Sequence, residues 1–224
     1  MNQASDHDKL PLKIDLHVHS MYSVDSVIRP EELPIYAKKK GLDGVAITDH
    51  DRLDSGIKIS RDIDFLILPG MEISSRDGHI IGLNLKETVQ KGLSADETVK
   101  KIHEAGGIAI ACHPSSLFKR SLGKCADSEF DAIELINSSS IPFGYSIKHT
   151  QKIASQLGIA QVAGSDAHYA PEIGTAYTLI DSEPNVDTIV DAIRKRKCQP
   201  YGMGIPLALR FRRTLLTVRK RLNP

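Results

Sequence analysis

Histidines and acidic residues recur in short motifs along this sequence. One motif, His17-x-His19, falls at the end of a short apolar run. Because alternate side chains of a β-strand point to the same face, this spacing predicts two imidazoles side by side. Two such imidazoles can bind one metal ion. Asp166-x-His168 has the same spacing, so it predicts a carboxylate and an imidazole on one face.

Six of the nine histidines flank predicted strands, most of them at the carboxyl end. The other three, His7, His103 and His149, fit an N-terminal tail and the middle of two helices. Polar side chains at buried strand ends cost free energy unless they are paired or bound to a metal. The six are therefore predicted to bind metal together with three carboxylates. The nine candidate ligands are His17, His19, Asp25, His50, Glu72, His79, His113, Asp166 and His168.

Nine ligands exceed the coordination shell of a single ion. Zinc takes about four ligands, so the set implies two or three ions that share bridging carboxylates. Imidazole and carboxylate ligands without thiolate suit Zn²⁺, Mn²⁺ or Fe²⁺. Metal ions about 4 Å apart form a clamp for phosphoryl transfer, in which one ion generates hydroxide and the others neutralise phosphate oxygens. The candidate set therefore indicates phosphoester chemistry.

The elements that position these residues are short apolar runs, which predict buried strands. The runs cover residues 14–18, 45–48, 65–68, 80–83, 108–112, 132–136, 160–163 and 175–180. Helices are predicted between many of them, for example after Pro30, after the capping box that Ser94 and Glu97 form, over Phe143–Leu157 and over 186–197. This alternation indicates an α/β protein with a parallel sheet. Seven or eight strands in one domain indicate a closed or nearly closed barrel, with its site at the carboxyl ends of the strands.

Length and composition exclude several classes of protein. A chain of 224 residues with 41% hydrophobic residues predicts one domain with a full core. This composition excludes a disordered chain, a collagen-like repeat and a disulfide scaffold. Three cysteines without paired spacing favour a reduced, cytoplasmic protein. No apolar run approaches the ~18 residues that cross a membrane, and the polar N-terminus does not resemble a signal peptide.

The near-zero net charge of +1 conceals an acidic body and a basic tail. Residues 194–224 hold ten of the 29 basic residues and no acid, so residues 1–193 carry a net charge of −9. We predict a flexible N-terminus over residues 1–12, a barrel domain over 13–200 and a basic, helical tail over 201–224. The carboxylates of Asp25, Glu72 and Asp166 are part of the acidic excess, and bound metal cations would offset them.

The tail has the pattern of an amphipathic helix over Leu207–Leu222. Its apolar stripe consists of Leu207, Phe211, Leu215, Val218 and Leu222. Three interpretations stay open: a terminal helix docked on the barrel, a basic face that binds nucleic acid or another polyanion, and a helix on a membrane surface. Few aromatic residues accompany the charges, which argues against base stacking.

The motifs together resemble the PHP (polymerase and histidinol phosphatase) superfamily. The resemblance runs from about residue 13 to 200 with the motifs in family order. It rests on residues 15–20 (DLHVHS), 47–51 (ITDHD), 69–73 (PGMEI), 111–114 (ACHP) and 164–168 (GSDAH). The resemblance implies a distorted, seven-stranded, TIM-like (β/α) barrel.

The resemblance also implies three metal ions on nine ligands. The first site would take His17, His19 and Asp166. The second would take Asp25, His50 and His168. The third would take His79 and His113, with Glu72 bridging the first and third sites. His79 stands in the shortest motif of the set.

The implied mechanism is attack on phosphorus by a metal-activated hydroxide. Glu72 and His168 would take part in catalysis as ligands, and Asp49 as a carboxylate that orients an imidazole, unless it is a turn residue or helix cap. Asp15 is predicted to be structural.

Side chains that contact substrate are predicted with alternatives. Ser20 donates to a phosphate or caps the following turn, and Lys119 or Arg120 holds a phosphate or is a solvated loop charge. Glu134 and Asn137 contact substrate or water beside the metals, or are ordinary polar residues at a strand end.

The leading hypothesis is a metal-dependent phosphatase that hydrolyses a small phosphomonoester, with a nucleotide as one candidate. The second is a nuclease acting on RNA or DNA ends. The third is a non-catalytic accessory PHP domain, against which the full ligand set and the absence of a polymerase module argue. The sequence leaves the substrate, the metal and the oligomeric state open.

Overall fold

A computed structural model of the chain describes residues 10–127 and 129–222. The predicted flexible segment, residues 1–12, lies outside these residues except for its last three. Of those three, Leu12 already belongs to the first strand and is buried.

Nine strands and six α-helices make up the described part of the chain. The strands are β1 Leu12–Val18, β2 Gly44–Ile47, β3 Leu66–Ser74, β4 His79–Leu83, β5 Ile108–Ala111, β6 Ala132–Asn137, β7 Ala160–Gly164, β8 Ala176–Ile180 and β9 Cys198–Gly202. The helices are α1 Glu32–Lys39, α2 Asp54–Asp62, α3 Ala95–Glu104, α4 Phe143–Leu157, α5 Val186–Arg194 and α6 Leu207–Leu222.

The strands form one curved, nearly closed sheet in the order β7-β6-β5-β4-β3-β2-β1-β8-β9. The ends of the sheet approach each other where β7 meets β1 and β8. There the backbone N–H of Asp166 donates to the carbonyl of His17 at 2.8 Å, and the N–H of Ala163 donates to Oγ1 of Thr178 at 2.8 Å. The predicted α/β class and barrel-like closure are therefore confirmed.

The predicted count of seven strands is wrong, because the sheet contains nine. The strand without any apolar signal is β9, which contains Gln199 and Pro200 and whose side chains are all exposed or half-buried. Such a sequence suits an edge strand, where proline costs no ladder hydrogen bond. It also carries the sheet two residues past the predicted domain boundary at residue 200.

The predicted parallel arrangement is wrong for β4, β8 and β9, which pair with their neighbours in the antiparallel sense. Only four residues connect Ser74 of β3 to His79 of β4. A parallel crossover needs a dozen or more residues, so this connection can only form a hairpin. The hairpin brings the start of β4 to the edge of the sheet at which β3 ends.

The capping box predicted at Ser94 is present. The Ser94 hydroxyl accepts from the backbone N–H of Glu97, and the Glu97 carboxylate accepts from the backbone N–H of Ser94 at 2.9 Å. Val99 and Ile102 of the capped helix, α3, belong to the same buried core cluster as Ile80 of β4. Capping therefore fixes the helix that supports this part of the sheet.

Replacing Ser94 by Ala is expected to lower the free energy of unfolding by about 1 kcal/mol, because the first turn of α3 loses its cap. Urea denaturation of the two proteins measures the difference. Ser155→Ala is the matched control, since Ser155 is exposed in the middle of α4 and only bonds back to its own helix. An equal loss in both variants would contradict the assignment.

The last helix, α6, covers Leu207–Leu222 and reverses the orientation expected from its apolar stripe. All five residues of that stripe are exposed, from 48% at Val218 to 83% at Leu207. The opposite, basic side contacts the barrel: Arg210 donates to the carbonyls of Ser138 and Ser139. Guanidinium hydrogen bonds therefore hold the helix. None of the described helices combines the length and apolar character needed to cross a membrane.

Candidate metal centre

All nine predicted ligands meet at one edge of the sheet. His17 lies near the end of β1, and His19 directly follows the strand. His50 follows β2, and Glu72 lies in the carboxyl half of β3. His113 follows β5, and Asp166 and His168 follow β7. His79 is the first residue of its strand, but β4 is antiparallel to β3, so His79 lies at the same edge. Asp25 comes from the loop between β1 and α1.

The carboxylate of Glu72 lies at the centre of the cluster and is buried. It contacts five imidazoles. Its Oε2 lies 3.2 Å from Nε2 of His19, 3.5 Å from Nε2 of His17 and 3.1 Å from Nδ1 of His50, and its Oε1 lies 2.7 Å from Nδ1 of His79 and 3.1 Å from Nε2 of His113. One carboxylate therefore joins histidines from β1, from β4 and from the ends of β2 and β5.

Two further carboxylates, those of Asp166 and Asp25, contact imidazoles of the cluster. Asp166 Oδ1 lies 3.6 Å from Nε2 of His17 and 3.4 Å from Nε2 of His19. Asp25 Oδ2 lies 3.5 Å from Nε2 of His50 and 3.3 Å from Nε2 of His168. The three groupings implied by the family resemblance are thus each close in space.

The donor set fits divalent cations. Three buried atoms of the cluster, Asp25 Oδ1, His113 Nδ1 and Asp166 Oδ1, have no hydrogen-bond partner among the described residues. Buried polar atoms are rarely left without a partner, and a coordinated ion would satisfy them. Several triads offer ligand atoms within 4.8 Å of one another, including His17–His19–Asp166 and His50–Glu72–His79. Imidazole and carboxylate donors suit Zn²⁺, Mn²⁺ and Fe²⁺ alike.

Close contacts between carboxylates and imidazoles shift the pKa values of both kinds of group in the cluster. Burial raises the pKa of Glu72, but His50, His17 and His79 outweigh burial and hold it well below its usual range. Burial lowers the pKa of His19, but Asp166 and Glu72 outweigh burial and raise it to about 9. The raised pKa of His19 and the lowered pKa of Glu72 favour a protonated imidazole paired with a carboxylate, and a bound cation can replace that proton.

Glu134 orients two of the histidines. Its Oε1 lies 2.9 Å from Nδ1 of His17, and its Oε2 accepts from the backbone N–H of His113 at 2.8 Å. The side chain of Asn137 donates to Glu134 at 3.0 Å and to Asp166 at 3.1 Å. A carboxylate on the outer nitrogen of an imidazole fixes its tautomer and ring orientation at a metal site. Both residues lie behind the candidate ligands.

Asp49 organises the loop after β1. It accepts from the backbone N–H of Ser20 at 2.6 Å and from the hydroxyls of Ser20, Ser23 and Ser55 at 2.5–2.9 Å. Ser23 Oγ in turn lies 3.4 Å from Nδ1 of His19, so Asp49 reaches an imidazole only through Ser23. The hydroxyl of Ser20 donates to Asp49 and is fully buried.

Two basic residues lie beside the cluster. The ammonium group of Lys119 forms a short ion pair with Asp166, and Arg120 donates to the carbonyl of Ser75 at 2.8 Å. Both line a cavity of about 140 Å³ that also contains the side chains of Glu72 and His113. The loop charges are therefore within reach of a ligand bound at the candidate metal centre.

Sequence reasoning missed Cys112 and Glu172. The thiol of Cys112 lies 3.3 Å from Glu72 Oε1, and burial, together with Glu72, raises its pKa well above the usual value, which keeps the thiol protonated. Glu172 is fully buried, and its Oε2 accepts from the backbone N–H of His168 at 3.0 Å. Cys112 stands beside His113 in its motif, which was a usable signal, whereas nothing local marks Glu172. Asp15 accepts from the backbone N–H groups of Ser165 and Gly174, as a structural residue does.

Gly164 permits the close approach of β7 to β1 at the cluster. A Cβ at this position would contact the backbone nitrogen of His17 at 2.9 Å and Oε1 of Glu134 at 3.0 Å. Gly164→Ala is therefore expected to displace His17 and to weaken Zn²⁺ binding by about 10-fold or more, the lower end for residues that orient ligands. Calorimetric titration measures the affinity. Gly144→Ala, at a helical site with open space around it, should leave Zn²⁺ binding unchanged.

Comparison with known proteins finds a matching family model and several relatives of this chain. Residues 148–198 match a family model described as PHP-associated. The chain is 40% identical over 141 residues to the uncharacterized protein MJ1587 of Methanocaldococcus jannaschii, covering 57% of this chain and 82% of that protein. It is 32% identical over 105 residues to a 5'-3' exoribonuclease of Haemophilus influenzae, covering 44% of this chain and 38% of that enzyme.

A solved structure from Bacteroides vulgatus has the same fold. It is a two-domain protein containing a predicted PHP-like metal-dependent phosphoesterase, with a TM-score of 0.68 and 17% identity, over 91% of this chain and 70% of that chain. The barrel-like sheet and the histidine-rich cluster together are those of a protein with candidate sites for divalent metal ions. The chain belongs to the PHP superfamily, which confirms the resemblance of its motifs.

Proposed function

We propose that this protein is a metal-dependent phosphatase that hydrolyses a small phosphomonoester. The observation that carries the proposal is the Glu72 carboxylate, which contacts five buried or half-buried imidazoles at one edge of the barrel. A structural ion would need only about four ligands and a closed shell. This cluster is larger and opens into a cavity.

The proposed ligands divide into three groups. His17, His19 and Asp166 hold the first ion, and Asp25, His50 and His168 hold the second. His79 and His113 hold the third, with Glu72 shared between the first and third. Ions bound there would lower the pKa of a coordinated water and polarise the phosphoryl group.

The remaining side chains position the ligands and bind the substrate. Glu134 keeps the outer nitrogen of His17 occupied, so that its Nε2 faces the cluster. Lys119 and Arg120 supply cationic donors for phosphate oxygens, which develop charge as the phosphorus is attacked. Asn137 fixes the Asp166 carboxylate.

A second, larger cavity adjoins the metal centre and is suited to the leaving group. It has a volume of about 370 Å³ and contains Asp25 and His168 in its lining. Phe118 and Ile141 contribute apolar surface to it, and Arg221 contributes a guanidinium. This volume matches a small organic phosphate.

Metal analysis combined with a phosphatase panel tests the proposal. The panel contains histidinol phosphate, nucleoside monophosphates, 3',5'-bisphosphates and short oligonucleotides, each assayed with Mn²⁺ and with Zn²⁺. We expect turnover of at least one monoester and two or three ions per chain. Protein that binds metal but hydrolyses nothing would support an accessory domain instead, and protein that binds no metal would contradict the proposal outright.

Metal binding should release protons from the centre. Because the pKa of His19 is raised to about 9, this imidazole is protonated in the metal-free protein at pH 7 and must lose its proton to bind an ion. Apparent affinity is therefore expected to rise with pH from 6 to 9 and then to level off. Calorimetry in buffers of different ionisation enthalpy counts the protons released, and a count of zero at pH 7 would be inconsistent with this assignment.

An exonuclease is the second candidate, favoured by the similarity to the exoribonuclease of Haemophilus influenzae. Exposed arginines on α6, among them Arg212 and Arg219, supply a basic surface for a nucleic acid strand. Replacing both by Gln should weaken oligonucleotide cleavage about 10-fold and leave monoester hydrolysis unchanged if the substrate is a nucleic acid. Equal rates on oligonucleotides before and after the change would show that this surface of α6 does not bind the strand.

A further inference from the structure

The C-terminal helix α6 holds the loop that carries Asp25. The ammonium group of Lys220 lies 2.8 Å from each of three backbone carbonyls, those of Met21, Ser23 and Ser26. An ammonium group has three donors, so all of them are used on this loop. One turn earlier in α6, Thr217 donates to the carbonyl of Asp25 itself at 3.2 Å. The loop on either side of Asp25 is thus wrapped around one side chain of α6.

The same helix reaches His168 through Glu172. Arg213 Nη1 lies 3.3 Å from Oε2 of Glu172, and that oxygen also accepts from the backbone N–H of His168 at 3.0 Å. Glu172 is fully buried, and burial raises its pKa, an effect that Arg213 opposes. The guanidinium of Arg213 and the backbone N–H of His168 therefore meet at one carboxylate oxygen of Glu172.

These contacts fall mainly on one part of the metal centre. Asp25 and His168 share the carboxylate-to-imidazole contact of 3.3 Å and belong to the second group of ligands. The first and third groups are held differently, by Glu134 behind His17 and by the pairing of β3 with β4 around Glu72. Among the described residues, α6 makes no hydrogen bond or ion pair to the side chains of those two groups.

From this arrangement we infer that α6 is a positioning element for the second metal ion, through Lys220, Thr217 and Arg213. The inference rests on the proposed function, since it takes Asp25, His50 and His168 as ligands of one ion. It also explains why a basic helix turns its apolar stripe to solvent: the basic side is required against backbone carbonyls and a buried carboxylate. The helix then forms one wall of the larger cavity, where Thr214 and Arg221 line it together with Asp25.

Calorimetric titration with Mn²⁺ of metal-free protein tests the inference, because it resolves affinity without measuring activity. Lys220→Met keeps a long, unbranched side chain and removes all three donors. We expect this variant to bind one ion about 10-fold more weakly, in the range that loss of a ligand-orienting contact produces, and the other ions with unchanged affinity. Arg219→Met is the matched control, since Arg219 is exposed on the same helix and makes no hydrogen bond or ion pair to described residues; it should bind every ion as the wild type does.

Thr217→Val provides a milder, isosteric variant should Lys220→Met fail to fold by circular dichroism. It removes only the hydrogen bond to the carbonyl of Asp25, and it should weaken the same ion by about 3-fold. Wild-type affinity for every ion in the folded variants would overturn the inference, and so would an equal loss at all sites, which indicates general destabilisation. Wild-type protein that binds no Mn²⁺ and no Zn²⁺ would instead contradict the proposed function.

Discussion

Glu72→Gln is expected to abolish binding of at least one metal ion and to lower kcat/KM for any hydrolysed phosphomonoester by more than ~100-fold, the upper end of the effect that merely orienting residues have. The carboxylate contacts five imidazoles, and each of its oxygens faces two or three of them. The amide of glutamine keeps one acceptor oxygen, but its NH₂ group takes the place of the other oxygen and presents a donor to the histidines there. It also removes a negative charge that two cations would share.

Metal content, Mn²⁺ affinity and steady-state kinetics measure these effects separately. The matched control is Glu87→Gln, an exposed carboxylate outside the cluster, which should leave both metal content and kcat/KM unchanged. Circular dichroism of the metal-free variant shows whether the barrel still forms. A folded Glu72→Gln protein with full metal content and wild-type turnover would remove the central carboxylate from the proposed site.

The candidate ligands could be predicted because strand periodicity and the position of strand ends are local properties of a sequence. The spacing of His17-x-His19 and of Asp166-x-His168 predicts that both side chains of each pair lie on one face of a strand. The apolar runs before them indicate which end of the strand they occupy. His79 shows the same logic in reverse. It is the first residue of β4, and only the antiparallel pairing of β4 with β3 brings it to the edge where the other ligands lie.

Contacts between distant parts of the chain could not be predicted in this way. Glu134 and Glu172 are acidic residues without a motif, and their roles depend on which backbone N–H groups the fold places before them. The orientation of α6 is a stronger case. Its apolar stripe predicts burial of one face, but the barrel rim offers carbonyl oxygens and a buried carboxylate, so the basic face of the helix docks instead.

Glu134→Gln is expected to weaken Zn²⁺ binding by about 10- to 100-fold, because Glu134 orients His17 and holds the backbone at His113. Its two oxygens accept from three donors: Nδ1–H of His17, the N–H of His113 and the amide of Asn137. A glutamine has a single oxygen. If that oxygen faces His17, the new NH₂ group confronts two donors; if it faces His113, His17 loses the acceptor that fixes its tautomer.

Either rotamer leaves a buried donor without a partner, which costs about 1–3 kcal/mol of folding free energy in addition to the loss of affinity. Urea denaturation of the metal-free protein and calorimetric titration with Zn²⁺ measure the two effects independently. Glu129→Gln, an exposed carboxylate on the approach to β6, is the matched control and should change neither. Loss of stability with unchanged Zn²⁺ affinity would make Glu134 a structural residue of β6, whereas loss of both identifies it as the residue that presents His17 to the metal.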